Sequence, residues 1–61
     1  SIWLRCEGIP GRTYAIEFTE VLAPPNWQTL AVQVADPTGA FEHVDHPPPG
    51  SPQRFYRAAQ P

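Results

Sequence analysis

The sequence predicts an all-β fold, a small five-stranded antiparallel sandwich or partly open barrel. Apolar residues recur at every second position over several short stretches, the period of a strand with one buried face. Nine prolines and four glycines interrupt those stretches at short intervals, as turn residues do. With 61 residues the chain holds one hydrophobic core at most, so a single β domain spans 1–61.

The elements follow in order. Ile2, Leu4 and Cys6 alternate with Trp3, Arg5 and Glu7, so the N-terminus reads as a strand with Trp3 on its outer face. Gly8-Ile9-Pro10-Gly11 supplies a tight turn, Pro fixing φ and Gly allowing φ > 0. Tyr14, Ile16 and Phe18 then point one way and Ala15, Glu17 and Thr19 the other, the clearest strand in the chain. Pro24-Pro25 cannot continue a ladder, so residues 20–26 form a connection that lays Trp27 against the sheet. A single helical turn over 20–23 is the alternative there.

Residues 28–35 make the next strand, with Leu30, Val32 and Val34 on one face. Asp36-Pro37-Thr38-Gly39 has the type I signature, Asp first, Pro second and Gly fourth. It should join that strand to 40–45 as a hairpin. Residues 46–52 form a Pro-rich loop in extended, polyproline-like conformation. That loop reads as a stiff connector in preference to a ligand for a proline-reading domain. The last strand is 53–59, carrying Arg54-Phe55-Tyr56-Arg57, and the chain has no internal repeat.

Charge and size narrow the function classes. Four arginines, no lysine and six carboxylates give a net charge of −2. No stretch offers the basic stripe that neutralises phosphates, which argues against nucleic acid as a partner. No apolar run reaches the ~18–20 residues of a membrane span, and none reads as a signal peptide. Ser1 at the start and the lack of Met suggest a mature product or an excised piece. A domain of this size buries only about 60% of its unfolded surface. Cys6 is the sole cysteine, so no internal disulfide supplements the core. Packing against another chain is the remaining support, the first hint of an assembly module.

The run Pro10-Gly11-Arg12-Thr13-Tyr14-Ala15-Ile16-Glu17 is followed by Leu22, Trp27, Leu30, Gly39, Phe41 and Asp45, and closes with Arg54-Phe55-Tyr56-Arg57. This order and spacing resembles a small β module of secreted proteins from Verrucomicrobia, Planctomycetes and related bacteria. The resemblance runs from about Ile2 to Ala58. It implies an extracellular or cell-surface location and no catalytic residues. It departs from the module where Thr19, Glu20 and Val21 stand in place of the usual Ser and Asp before the Leu, and at Pro24-Pro25. It also implies that Asp45, before the loop, faces Arg54 after it as a structural ion pair. Arg offers a planar fork for a carboxylate, and an exposed pair of this kind anchors geometry while contributing about 0–1 kcal/mol.

Chemistry beyond this is sparse. In Glu42-His43-Val44-Asp45-His46, His43 and Asp45 share one strand face, which falls short of the four converging ligands of a structural zinc site. His43 reads instead as a half-buried residue below Phe41, and no metal or other cofactor is expected. Cys6 lies in the apolar register, where a thiol is inert. A register off by one would turn it outward, toward an intersubunit disulfide. No nucleophile has a positioned base, so the chain is read as non-catalytic. Trp27 flanked by Asn26 and Gln28 is a candidate sugar-stacking site, against the plainer reading that Trp27 caps the core.

Trp3 is the most informative aromatic. An outward Trp on a terminal strand leaves apolar surface in water unless a neighbour covers it, and such strands add readily to another sheet. Residues 1–7 are therefore a candidate exchanged edge strand, with Ile2, Trp3, Leu4, Arg5 and Cys6 as the subunit interface. The expectation is an extracellular structural module, a homo-oligomer or polymer such as a bacterial surface filament or matrix. A carbohydrate-binding or cell-wall-targeting appendage of a larger secreted protein, with a glycan as partner, is the alternative.

Overall fold

A computed structural model of the chain describes residues 1–51 and 53–60. Pro52 of the expected 46–52 loop and Pro61 at the end of the chain lie outside the described residues. Five strands form: β1 (Ile2–Glu7), β2 (Thr13–Thr19), β3 (Gln28–Val34), β4 (Ala40–Asp45) and β5 (Phe55–Ala59). They make two antiparallel sheets, β1-β4 and β3-β2-β5, with no helix among the described residues. The fold is thus all-β, an open sandwich and not a closed barrel.

The core lies between the sheets. Tyr14, Ile16, Ala35 and Phe41 are buried, with Leu4, Cys6 and Leu30 packed against them. Tyr14 of one sheet stacks on Phe41 of the other, ring centroids 4.8 Å apart and planes within 5°. The inward register of Leu4 and Cys6 is as the alternation predicts. Trp3 faces out and is 64% exposed.

The turns place the sheets. Arg12 N–H donates to the Ile9 carbonyl at 3.1 Å around Pro10 and Gly11, whose φ is +77°. Gly39 N–H donates to the Asp36 carbonyl at 2.8 Å, closing the four-residue turn. Asp36 Oδ1 accepts from Thr38 N–H, Thr38 Oγ1 and Ala40 N–H within it. The turn forms as the sequence predicts, but the hairpin does not. Ala35 N–H donates to Arg12 on the β2 side, whereas Asp36 N–H donates to Ala40 on the β4 side. The chain changes sheets between these two residues, and β4 pairs with β1. The turn itself does not part the strands: Gly39, at φ +88°, sits in the left-handed region as in a three-residue hairpin loop, and the separation comes from Ala35 and Asp36 bonding to different sheets.

Two glycines meet at this crossing. Gly8 N–H donates to the Gly39 carbonyl at 2.8 Å. A Cβ on Gly39 would strike the Gly8 carbonyl, and one on Gly8 would come within 2.5 Å of the Tyr14 ring.

The expected face of Leu30, Val32 and Val34 is also broken. Ile16 pairs with Ala31 but Glu17 pairs with Thr29, so Leu30 is the extra residue of a β-bulge. The bulge reverses the alternation: Leu30 packs on the core while Val32 and Val34 are 59% and 62% exposed.

In the 20–26 connection the alternative helical turn does not form. Thr19, fully buried, donates its hydroxyl to the Val21 carbonyl at 2.7 Å and accepts from Asn26 N–H at 2.9 Å. Leu22 and Pro25 make an isolated bridge around a cis Ala23–Pro24 bond. β5 begins at Phe55, two residues later than the strand the sequence predicts.

Candidate functional site

The candidate interface residues all lie on β1, which pairs with β4 over its whole length, from Ile2↔Asp45 to Glu7↔Ala40. The Gly8 N–H to Gly39 carbonyl bond extends this register. Pairs alternate between bonded and non-bonded in an antiparallel ladder. Even-numbered residues of β1 therefore spend their backbone groups on β4, and Trp3, Arg5 and Glu7 turn theirs to the other edge. No strand among the described residues pairs with that edge.

The unpaired edge of β1 borders a cleft. β5 is likewise paired on one side only, by β2. Between the two edges lies a cleft of about 330 Å³ lined by Trp3 to Cys6, Ile16 and Tyr56 to Ala58. On the outer face of the small sheet Trp3 stands opposite Val44, itself 46% exposed, and Arg5 stands opposite Glu42. Ile2, at the strand end, is 38% exposed. Cys6 faces inward, and burial pushes its thiol pKa up, which keeps it protonated and unreactive.

Asp45 and Arg54 do meet, in a setting the sequence did not foretell. Arg54 Nη1 lies 3.1 Å from Asp45 Oδ2 and 3.4 Å from Oδ1. One nitrogen thus serves both oxygens, and the expected two-nitrogen fork is not used. The pair is also buried and not exposed, with side chains 11% and 7% accessible. Tyr56 adds its hydroxyl, donating to Asp45 Oδ2 at 2.6 Å. The Arg54 guanidinium lies 4.0 Å over the Phe18 ring, and its Nε is buried without a hydrogen-bond partner among the described residues.

This network moves two pKa values. Burial alone would raise that of Asp45, but the Tyr56 hydrogen bond, the Arg54 charge and hydrogen bond, and the His43 charge outweigh it and lower it. Burial and then the Asp45 carboxylate push the Tyr56 phenol up to about 12. His43 sits on the same inward face as Asp45, opposite Leu4 and partly buried. Among the described residues no group of three His, Cys, Asp or Glu side chains is placed to hold a metal ion.

The candidate sugar site is partly occupied by the chain's own residues. Trp27 is partly buried, and the Arg57 guanidinium lies 4.2 Å over one face of its ring. Glu17 Oε1 accepts from Arg57 Nε at 2.7 Å and fixes that stack. Asn26 directs its backbone N–H to Thr19, and both Asn26 and Gln28 are exposed. Tyr14 is in the core, where its hydroxyl accepts from Ile9 N–H at 2.7 Å.

Sequence reasoning missed Tyr56, Phe18 and Arg57 as partners in these clusters. For Tyr56 a signal was present: it stands two residues from Arg54, hence on the same strand face. For Phe18 and Arg57 the contacts depend on which strands become neighbours, which no local pattern carries.

No helix among the described residues is long and apolar enough to cross a membrane. No family model matches the chain, and neither a curated protein nor a solved structure matches it.

Proposed function

We propose that this chain is a non-catalytic structural module that self-associates through its N-terminal strand, as a subunit of a bacterial surface filament or matrix. The observation that carries the reading is the β1 edge, where Trp3 is 64% exposed beside a row of unpaired backbone groups. Isolated strands with such edges add to other sheets, and folded proteins normally blunt them with charge, proline or a covering element. Here Arg5 is the one charge at the middle of the edge. Exchange of β1 between copies would replace six existing pairs with β4 by the same six, so addition at the unpaired edge is the simpler joint. The inward, protonated Cys6 and the engaged Asp45 carboxylate accord with a non-catalytic role. The extracellular placement rests on the resemblance to secreted bacterial β modules.

The test is solution size by sedimentation and negative-stain electron microscopy, for the unmodified chain beside Trp3→Ala and Arg5→Pro. Proline at position 5 removes an edge-facing N–H and leaves the bonds to β4. Oligomers or filaments lost in both variants, with unchanged circular dichroism, are the expected result. A unmodified chain that stays monomeric at high concentration overturns the reading. Retention of that monomer on polysaccharide, lost in Trp27→Ala, would favour the glycan-binding appendage.

A further inference from the structure

We infer that the partner at this edge is the β1 strand of a second copy, antiparallel, related by a two-fold axis that passes beside Leu4. This rests on the self-association reading and specifies its joint.

The backbone decides the phase. Trp3, Arg5 and Glu7 direct their N–H and carbonyl groups to the unpaired edge, as the bond between Gly8 and Gly39 fixes. An added antiparallel strand must meet them with its own odd-numbered residues. Two registers satisfy this with most of each β1 paired. One sets Arg5 against Arg5 of the second copy, and like charges directly opposite are unfavourable. The other sets Trp3 against Arg5 twice, Ile2 against Cys6 twice, and Leu4 against Leu4.

The Trp3–Arg5 register is the one the side chains fit. Each Trp3 ring meets a guanidinium across the joint, a favourable cation–π pairing made twice by symmetry. With the existing pairs, the outer face then reads Val44, Trp3, Arg5 and Glu42 across four strands in order β4-β1-β1-β4. The inner face presents Leu4 to Leu4 at the mouth of the cleft between β1 and β5. Both copies keep their three-stranded sheets on the same side of the joined sheet, so the two clefts close against each other. A two-fold contact of this kind closes on itself. A filament therefore alternates it with a second joint elsewhere.

Cysteine crosslinking reads the register. Leu4 faces Leu4 in a non-bonded pair, where the Cα atoms approach to about 4.5 Å, inside the disulfide range of about 4.4–6.8 Å. Leu4→Cys in a Cys6→Ser background should convert the chain largely to a covalent dimer under mild oxidation. Leu4 packs on the core, so a second pair of variants uses outward positions. Trp3→Cys and Arg5→Cys, each in Cys6→Ser, should crosslink when mixed and stay monomeric alone.

Crosslinking of Trp3→Cys alone, or of Arg5→Cys alone, overturns the register. Sedimentation that shows oligomers of the unmodified chain while none of these variants crosslinks overturns the two-fold joint and leaves self-association standing. An unmodified chain monomeric at every concentration removes both.

Discussion

The Tyr56 hydroxyl, on the three-stranded sheet, donates at 2.6 Å to Asp45 Oδ2 on the two-stranded sheet. The sheets are therefore stitched at both ends of β4. Phe41, near its start, stacks on Tyr14, and Asp45, at its end, holds Tyr56 and Arg54. Asp45 precedes the Pro-rich loop and Arg54 follows it, so the same carboxylate also ties the loop's two ends.

Asp45→Ala should be strongly destabilising. It leaves the Arg54 guanidinium buried without its counter-charge, on a side chain that already has one unsatisfied nitrogen. Breaking a buried pair from one side costs about 3–5 kcal/mol. At roughly 0.05–0.15 kcal/mol per residue a domain of this length is stable by about 3–9 kcal/mol, so the variant should lose at least about a third of its stability. Tyr56→Phe removes one hydrogen bond to a charged group and should cost about 1.5–3 kcal/mol. Urea melts followed by near-ultraviolet circular dichroism rank the two. Equal losses would mean that the ion pair contributes nothing beyond the phenol.

Stability should fall at both ends of the pH scale, through the same stitch. The Asp45 pKa is lowered in the fold, so its contribution is present above the unfolded value and is lost as pH falls below about 4. Asp36, lowered first by its Thr38 hydrogen bonds, acts in the same direction. The Tyr56 pKa is raised to about 12, so its contribution is full below about pH 10 and is lost as pH rises through 12. The difference between alkaline absorbance titrations of the native chain and Tyr56→Phe isolates this phenol. A midpoint near 10 in that difference would show that Asp45 does not hold it.

Gly39→Ala should cost more than the ~1 kcal/mol typical of a residue forced to positive φ. Its φ is +88°, and the added methyl would also meet the Gly8 carbonyl. Gly11 has φ +77° but open space around it, so Gly11→Ala carries the backbone cost alone. Thermal melts of the two separate the crowding at the sheet crossing from the conformational cost. Similar shifts would show that the chain there relaxes easily.

The legible part of the fold was what local pattern encodes. Alternation placed all five strands, and the Asp36–Gly39 turn was readable from its four residues. What the turn leads to was not. Whether Ala40–Asp45 folds back on β3 or crosses to β1 depends on how Ala35 and Asp36 divide their hydrogen bonds between sheets. The Asp45–Arg54 pair came from resemblance, but its burial arises because Tyr56 and Phe18 close around it. The exposure of Trp3 was legible because β1 is regular, with no bulge to shift its faces.

The bulge on β3 gives the sharpest test of the packing. Regular alternation would make Leu30, Val32 and Val34 equivalent, whereas the shift between Ile16 and Glu17 turns only Leu30 to the core. Leu30→Ala should then cost about 2–5 kcal/mol, toward the lower end because the site is partly exposed. Val32→Thr and Val34→Thr should each stay within about 0.5 kcal/mol, because both side chains project into solvent. Thr keeps the β-branched shape that strands favour, so any larger loss would come from burial. Chemical denaturation of the three variants decides it. A loss at Val32 matching that at Leu30 would mean that β3 runs straight and that its whole apolar face is covered.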